Sequence, residues 1–453
     1  MAPTAAVPSG EMNIRVKSRR LVKASDVSIQ PHVAAVSNLD LYLDNVQASI
    51  VCLYPKLPNA SDFDAVVATF ETVLPSLLNH FYPLAGRIVI SPDSGLPELH
   101  CHNQGAELIV GDVDVALGSL DYGLAEESLK KIMLPYPEDV TLSVQLLRFA
   151  CGSFSVVWGN NNLLNDGHAI TMFVRAWSQL ARTGKIADGA TPINHDRSRR
   201  ARRHVREYDD SRLVNVLTAH DSFVERLYYV EAADIARLRD MVSTKLHRSS
   251  RVQAVSAYLW KVLAGVVATS RVPEEHCCMG WMVDGRRRVK SPELVPAMRN
   301  YFGNVTAYAL ASAAVSEIRE KPLSEVAGMV RDTITSIDYD VYLQELIDWV
   351  EEHKTERLME TGVLGLGTPT LNQTVFASFP LDTDFGFGQA ELAMPMCDYE
   401  RLCSGYLSVG ARPGGDGSWL VSAYIWPRMA AALESEEERI FKPLTAKYLA
   451  LVA

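Results

Sequence analysis

Trp158-Gly159-Asn160-Asn161-Asn162-Leu163-Leu164-Asn165-Asp166-Gly167-His168 lies where one hydrophobic pattern gives way to another. Before it, residues 141–149 and 154–158 cluster apolar side chains around the turn Cys151-Gly152-Ser153, the mark of two β segments. After it, Ile170, Phe173, Val174, Trp177 and Leu180 recur at helical spacing. Residues 162–167 therefore join a strand to a helix, a favoured place for chemistry. Gly167 suits a backbone that must turn or be approached closely.

Towards the N-terminus, Ser61 and Asp64 resemble a capping box. The apolar positions Val66, Val67, Phe70, Val73, Leu74, Leu77, Leu78 and Phe81 predict a helix with one buried face. Tyr82-Pro83-Leu84-Ala85-Gly86-Arg87 stops it before a strand at 88–90. Beyond the central loop, residues 191–212 turn polar and contain Arg197, Arg199, Arg200, Arg202, Arg203 and Arg206. This run reads as a solvated crossover between domains. Further on, a helix is expected over 252–267, strands over 277–283, 304–311, 371–379, 405–409 and 419–425, and helices over 323–337 and 434–449. The resulting division is 1–190, a linker 191–215, and 216–453.

The 453 residues are too many for one ordinary core and fit two domains of about 200 residues. With 48% hydrophobic and 22% charged residues, the composition is that of a soluble globular protein. No run of ~18 apolar residues marks a membrane span, and the first residues lack a signal-peptide pattern, so a cytoplasmic protein is expected. A net charge of −10 argues against nucleic acid as the main partner. The seven cysteines, an odd number without CxxC spacing, imply neither a disulfide framework nor zinc and read as reduced core thiols. His100 and His102 flank Cys101, but alternation along a short strand explains them without a metal. Gly365-Leu366-Gly367 is too short to specify a phosphate loop, and no GxSxG elbow supports a serine hydrolase.

Several separated segments agree in order and spacing with one family. They are Ser37-Asn38-Leu39-Asp40, Pro83-Leu84-Ala85-Gly86-Arg87, the loop Asn162 to Gly167, Asp284-Gly285-Arg286-Arg287-Arg288, Tyr301-Phe302-Gly303-Asn304 and Asp384-Phe385-Gly386-Phe387-Gly388. The chain resembles the plant BAHD acyltransferases over nearly its whole length. The last segment departs from the family's DFGWG only by Phe387. The resemblance implies an α/β fold of two similar mixed-sheet domains with a channel between them and the HxxxD loop at its centre. It also implies acyl-CoA as a cosubstrate, no permanently bound cofactor or metal, a small-molecule acceptor and a monomer. In the family mechanism a histidine takes the acceptor's proton during attack on the thioester, and the aspartate, here Asp166, orients the loop.

The histidine position holds Asn162. An asparagine can position a group through its carbonyl and amide but has no useful basicity. A general base contributes ~10²–10⁴-fold, so its loss costs about 3–5 kcal/mol of transition-state stabilisation. Three accounts follow: a near-isosteric replacement installed to hold substrates, a natural enzyme that works without this base, or a non-catalytic relative that binds acyl-CoA or phenolic ligands. An amine acceptor suits the second, since a neutral amine is already nucleophilic whereas an alcohol needs its proton taken. His168 is the nearby alternative base, but its place at the helix start predicts a side chain leaving the loop in another direction.

For CoA, the resemblance points to Ser249, Ser250 and Arg251 ahead of the helix at 252–267, residues that also suit a helix cap. In relatives acting on shikimate or quinate, a TSWxR arginine grips the acceptor carboxylate. Here Thr374-Val375-Phe376-Ala377-Ser378 stands in its place, with Ser378 at the arginine position and Phe376 beside it in the acceptor pocket. An acidic acceptor loses its partner. The expected reaction is transfer of a hydroxycinnamoyl or benzoyl group to an arylalkylamine or polyamine, with an alcohol as the alternative acceptor. Asp384 is expected to anchor its own loop remote from the reacting atoms, through Arg286.

Overall fold

The computed structural model describes residues 12–42, 46–57, 62–186, 192–197, 217, 223–244, 247–271, 274–355, 368–379, 381–397, 404–435 and 439–451. Ser61, Cys403, the arginines from Arg199 to Arg206 and the segment Gly365-Leu366-Gly367 lie outside them.

Two large mixed sheets carry the architecture. The six-stranded sheet runs β1 (Ile14–Val22), β6 (Ala106–Val113), β7 (Leu142–Phe149), β8 (Phe154–Asn161), β3 (Gln47–Tyr54) and β13 (Leu392–Cys397). Only β6 and β7 pair in parallel within it. The seven-stranded sheet runs β11 (Thr306–Ala314), β10 (His276–Asp284), β12 (Thr370–Val375), β14 (Gly405–Ala411), β15 (Trp419–Ile425), β9 (Val224–Val230) and β16 (Lys442–Pro443), with β10, β12 and β14 parallel. A small sheet of β2 (His32–Ala35), β5 (Pro97–Cys101) and β4 (Arg87–Ile90) completes the set. The helices are α1 (Asn38–Leu41), α2 (Asp62–His80), α3 (Gly167–Thr183), α4 (Ala232–Val242), α5 (Arg251–Ala268), α6 (Leu294–Met298), α7 (Val315–Glu320), α8 (Leu323–Thr335), α9 (Tyr339–His353) and α10 (Pro427–Ser435). No helix among the described residues is long and apolar enough to cross a membrane.

Local chemistry accounts for the central elements. Every residue of β8 is buried, as a strand covered on both faces requires. In α3 the buried residues Ile170, Phe173, Val174, Trp177 and Leu180 form one stripe. The Asp166 carboxylate caps its first turn, and Gly184 at φ 71° ends it in a left-handed cap. In α5 Ser250 and Gln253 form a reciprocal capping box.

The structure departs from the sequence reading in several places. The division at 191–215 is crossed, because β13, from the second half of the chain, pairs with β3 and completes the first sheet. Phe385 of the DFGFG segment is likewise buried against Phe70, Trp158 and Trp177, in the core of the first half. The helix expected over 434–449 ends at Ser435. Pro443, which has no amide hydrogen, lies instead in the edge strand β16. The strand expected over 371–379 stops at Val375 and continues as a 3₁₀ turn, Phe376–Ser378. Cys151, read as a core thiol, is exposed in the turn between β7 and β8.

Candidate active site

The loop between β8 and α3 is held at almost every step by groups from distant segments. Asn304 donates from Nδ2 to the Asn162 carbonyl at 2.8 Å, and the Asn162 amide donates to the Val46 carbonyl at 3.0 Å. Arg197 donates to the Leu164 carbonyl at 2.9 Å. Asp166 accepts from the Ala169 amide at 3.0 Å through Oδ1, and from Arg286 Nη1 at 2.6 Å and the Val305 amide at 2.8 Å through Oδ2. That carboxylate is therefore committed to the backbone and to a buried cation. Its partner is Asp166, not Asp384: the expected link between Arg286 and Asp384 is replaced by this pair because the DFGFG loop packs on the other half of the molecule.

Beneath the loop lies a buried ionic cluster. Asp40, fully buried, pairs with Arg197 and accepts from both the backbone amide and Nδ2 of Asn304. Arg197 donates a further hydrogen bond to the Phe302 carbonyl. The expected solvated linker thus supplies a buried cation at this position. Burying a charge is costly unless it is paired and hydrogen-bonded, and each member here meets that condition. The Ser37 to Asp40, Asp284 to Arg288 and Tyr301 to Asn304 segments all converge on the loop. The sequence presented those segments without showing that they touch.

Gly167 is required by a close approach. The Phe376 ring, delivered by the turn after β12, covers it so closely that an added Cβ would stand 2.5 Å from Cε1. Phe379 meets the His168 ring edge-on, with centroids 5.6 Å apart. His168 turns towards the second sheet, where Nδ1 lies 2.8 Å from Asp284 Oδ2. Burial raises the Asp284 carboxyl, but the His168 hydrogen bond and the nearby Arg286 cation outweigh it and hold the group below the ordinary carboxylate range.

These residues open on a cleft of about 450 Å³, the size of a small-molecule site. Asp166, Gly167, His168 and Asp284 form part of its wall, together with Gln373, Thr374, Trp281 and Phe379. Arg287, Arg288 and Arg331 also line it, and Arg287 has no carboxylate partner among the described residues. Asn162 is half-buried and stands outside this wall.

Of the residues singled out for CoA, Ser250 lines the cleft, Ser249 is buried with its hydroxyl donated to the Val242 carbonyl, and Arg251 points to the Gly417 carbonyl. Ser378, assigned to the acceptor, lines the same cleft as Ser250, and its hydroxyl is donated to the Val375 carbonyl. The sequence reading had given one to the donor and the other to the acceptor. Of the arginines it passed over, Arg287 and Arg288 were visible in the Arg286-Arg287-Arg288 run, whereas nothing in the sequence marked Arg331. Asp384 accepts from the Gly386 and Gly388 amides at 2.9 and 3.0 Å and closes its own loop. Among the described residues, no group of three histidine, cysteine or acidic side chains is arranged for a metal.

Residues 12–401 match the model of the Transferase family. The chain belongs to the BAHD acyltransferase family. It is 28% identical over 416 residues to putrescine hydroxycinnamoyltransferase 3 of Oryza sativa subsp. japonica, covering 85% of this chain and 90% of the relative. It is 26% identical over 405 residues to omega-hydroxypalmitate O-feruloyl transferase of Arabidopsis thaliana, covering 83% of this chain and 82% of the relative. The BAHD fold is shared with vinorine synthase, whose crystal structure superposes with a TM-score of 0.70 at 19% identity over 96% of this chain and 100% of that one. Members of the family use CoA thioesters as acyl donors, which suits a cleft bearing three arginines.

Proposed function

We propose that this protein transfers an aromatic acyl group, hydroxycinnamoyl or benzoyl, from acyl-CoA to an amine such as an arylalkylamine or a polyamine. The observation that carries the reading is Asn162 at the base position of a loop whose other restraints are all built. Such a loop keeps its shape while lacking a proton acceptor at that position, which favours a nucleophile that attacks as the neutral species. The relative from Oryza sativa, named for putrescine, supports the same class of acceptor. Arg287, Arg288 and Arg331 are assigned to the phosphates of the donor, with Ser250 beside them at the start of α5.

The Arabidopsis relative, named for O-feruloyl transfer, supports an alcohol acceptor as the second reading. The test is to incubate the protein and Asn162→His with p-coumaroyl-CoA and benzoyl-CoA against panels of amines and alcohols. Amide formation by the unaltered chain is expected, with Asn162→His raising transfer to alcohols by ~10²-fold or more and to amines by less. Transfer by the variant alone contradicts an adapted enzyme and supports an installed replacement or a lost catalyst, whereas inactivity of both with acyl-CoA still bound supports a ligand-binding relative.

A further inference from the structure

We propose that His168, held by Asp284, is the proton acceptor of the transfer step, in place of the base that position 162 lacks. The inference rests on the reading of the cleft as an acyl-transfer site. Three observations place the group. His168 lines the cleft beside Gly167 and Asp166. Its Nδ1 is 2.8 Å from Asp284 Oδ2, so with a carboxylate as acceptor Nδ1 donates and Nε2 keeps its lone pair. Nε2 has no hydrogen-bond partner among the described residues and is not buried out of reach of the cleft.

The orienting carboxylate is itself fixed. Asp284 Oδ1 accepts from the Arg286 amide at 3.1 Å and from Arg286 Nη1 at 3.2 Å, leaving Oδ2 for the histidine. Phe379 packs edge-on against the ring. This repeats the arrangement in which a buried carboxylate sets the tautomer and orientation of a catalytic imidazole. The charged groups around the ring are Asp166 at the start of α3, Asp284, Arg286, Arg287 and Arg288 at the end of β10, and Arg331 on α8.

In the step, the amine nitrogen bonds to the thioester carbonyl carbon and the carbonyl π electrons move to oxygen. The new ammonium gives one proton to His168 Nε2. Collapse of the tetrahedral intermediate re-forms the carbonyl and breaks the C–S bond. The departing CoA thiolate takes the proton back from the imidazolium, leaving amide, CoA thiol and a neutral histidine.

His168→Gln tests the assignment in the full-length protein. The expected result is a fall in kcat of ~10²-fold or more, the scale of a general base, with KM for p-coumaroyl-CoA within about threefold. The part of the acid limb that belongs to the base should also disappear, leaving only the rise set by the amine's own titration, since the base works only when neutral. A purely structural pair would not move that limb. A variant within threefold of the parent in kcat, or one whose acid limb is unchanged from the parent's, overturns the proposal. Carbethoxylation mapped by mass spectrometry gives a reading that needs no turnover. Modification of His168 that is blocked by free CoA supports a basic nitrogen facing the donor, even if the unaltered chain forms neither amide nor ester and the functional reading has failed. An unmodified His168, or modification that CoA does not affect, overturns it.

Discussion

A methyl group at Gly167 would stand 2.5 Å from Cε1 of Phe376 and 2.9 Å from its Cζ, inside any real carbon contact. Gly167→Ala must therefore displace an aromatic ring wedged against the loop that leads into α3. The expected cost is about 1–3 kcal/mol, as for other overpacked sites. Combining it with Phe376→Leu should cost less than the sum of the two single changes, as urea unfolding of the set would show. Additive costs would mean that the ring and the glycine do not meet. At this scale the sequence was informative about type and silent about partner. Gly167 was legible as a close-approach position. Phe376 as the approaching group was not, because nothing local in a sequence says which distant turn folds over a loop. Arg197 was misread for a related reason: in a run of arginines, composition favours water, and only the fold brings Asp40 to one of them.

The DFGFG loop shows what an element can demand apart from contacts. Gly386 has φ 104° and Gly388 φ 99°, conformations that favour glycine, and both amides point at Asp384. An added Cβ at either glycine meets nothing within 4 Å. Gly386→Ala should accordingly cost about 1–3 kcal/mol through backbone strain alone, with little change in transfer rate, since no residue of the loop lines the cleft. Thermal unfolding together with a kcat measurement would check both halves, and an unchanged melting temperature would contradict the account. Strands and helices with strong periodicity, such as α2, α3 and β10, were readable from sequence. The exchange of β13 into the first sheet was not, because Leu392–Cys397 was not among the expected strands and pairing partners leave no mark in one chain. Pro443 was a readable stop signal, yet the apolar spacing around it favoured a helix.

Over the whole molecule, acid stability divides into two windows. Burial beside Tyr82 and Phe302 pushes His195 down to about 4, with Arg197 and His32 adding to the effect against the hydrogen bond to the His80 carbonyl. The folded state keeps this ring neutral while the unfolded chain takes a proton below about 6.5. Stability is therefore present above that pH and lost as pH falls from about 6.5 towards 4. Asp112 and Asp382 behave as carboxylates held low: burial opposes it, but Lys17 and Arg15 in one case and Arg182 in the other prevail. Their contribution is lost only below the ordinary carboxylate range, about 4. Urea unfolding at pH 7.5 and pH 5 should show a loss for the parent that His195→Gln reduces, and equal losses would contradict the assignment.

The fold family and the central loop were legible across the chain because several short motifs kept their order. The cleft was not, since its arginines, the Asp284–His168 pair and the turn at Phe376 come together only in three dimensions. On the proposed function, this cleft passes an aromatic acyl group to an amine. The most direct test is competition in one vessel: p-coumaroyl-CoA with equal concentrations of phenethylamine and 2-phenylethanol, amide and ester being quantified over time. Amide is expected in at least about tenfold excess, rising with pH as the neutral amine becomes abundant. Ester equal to or above amide, or release of free acid alone, would contradict it.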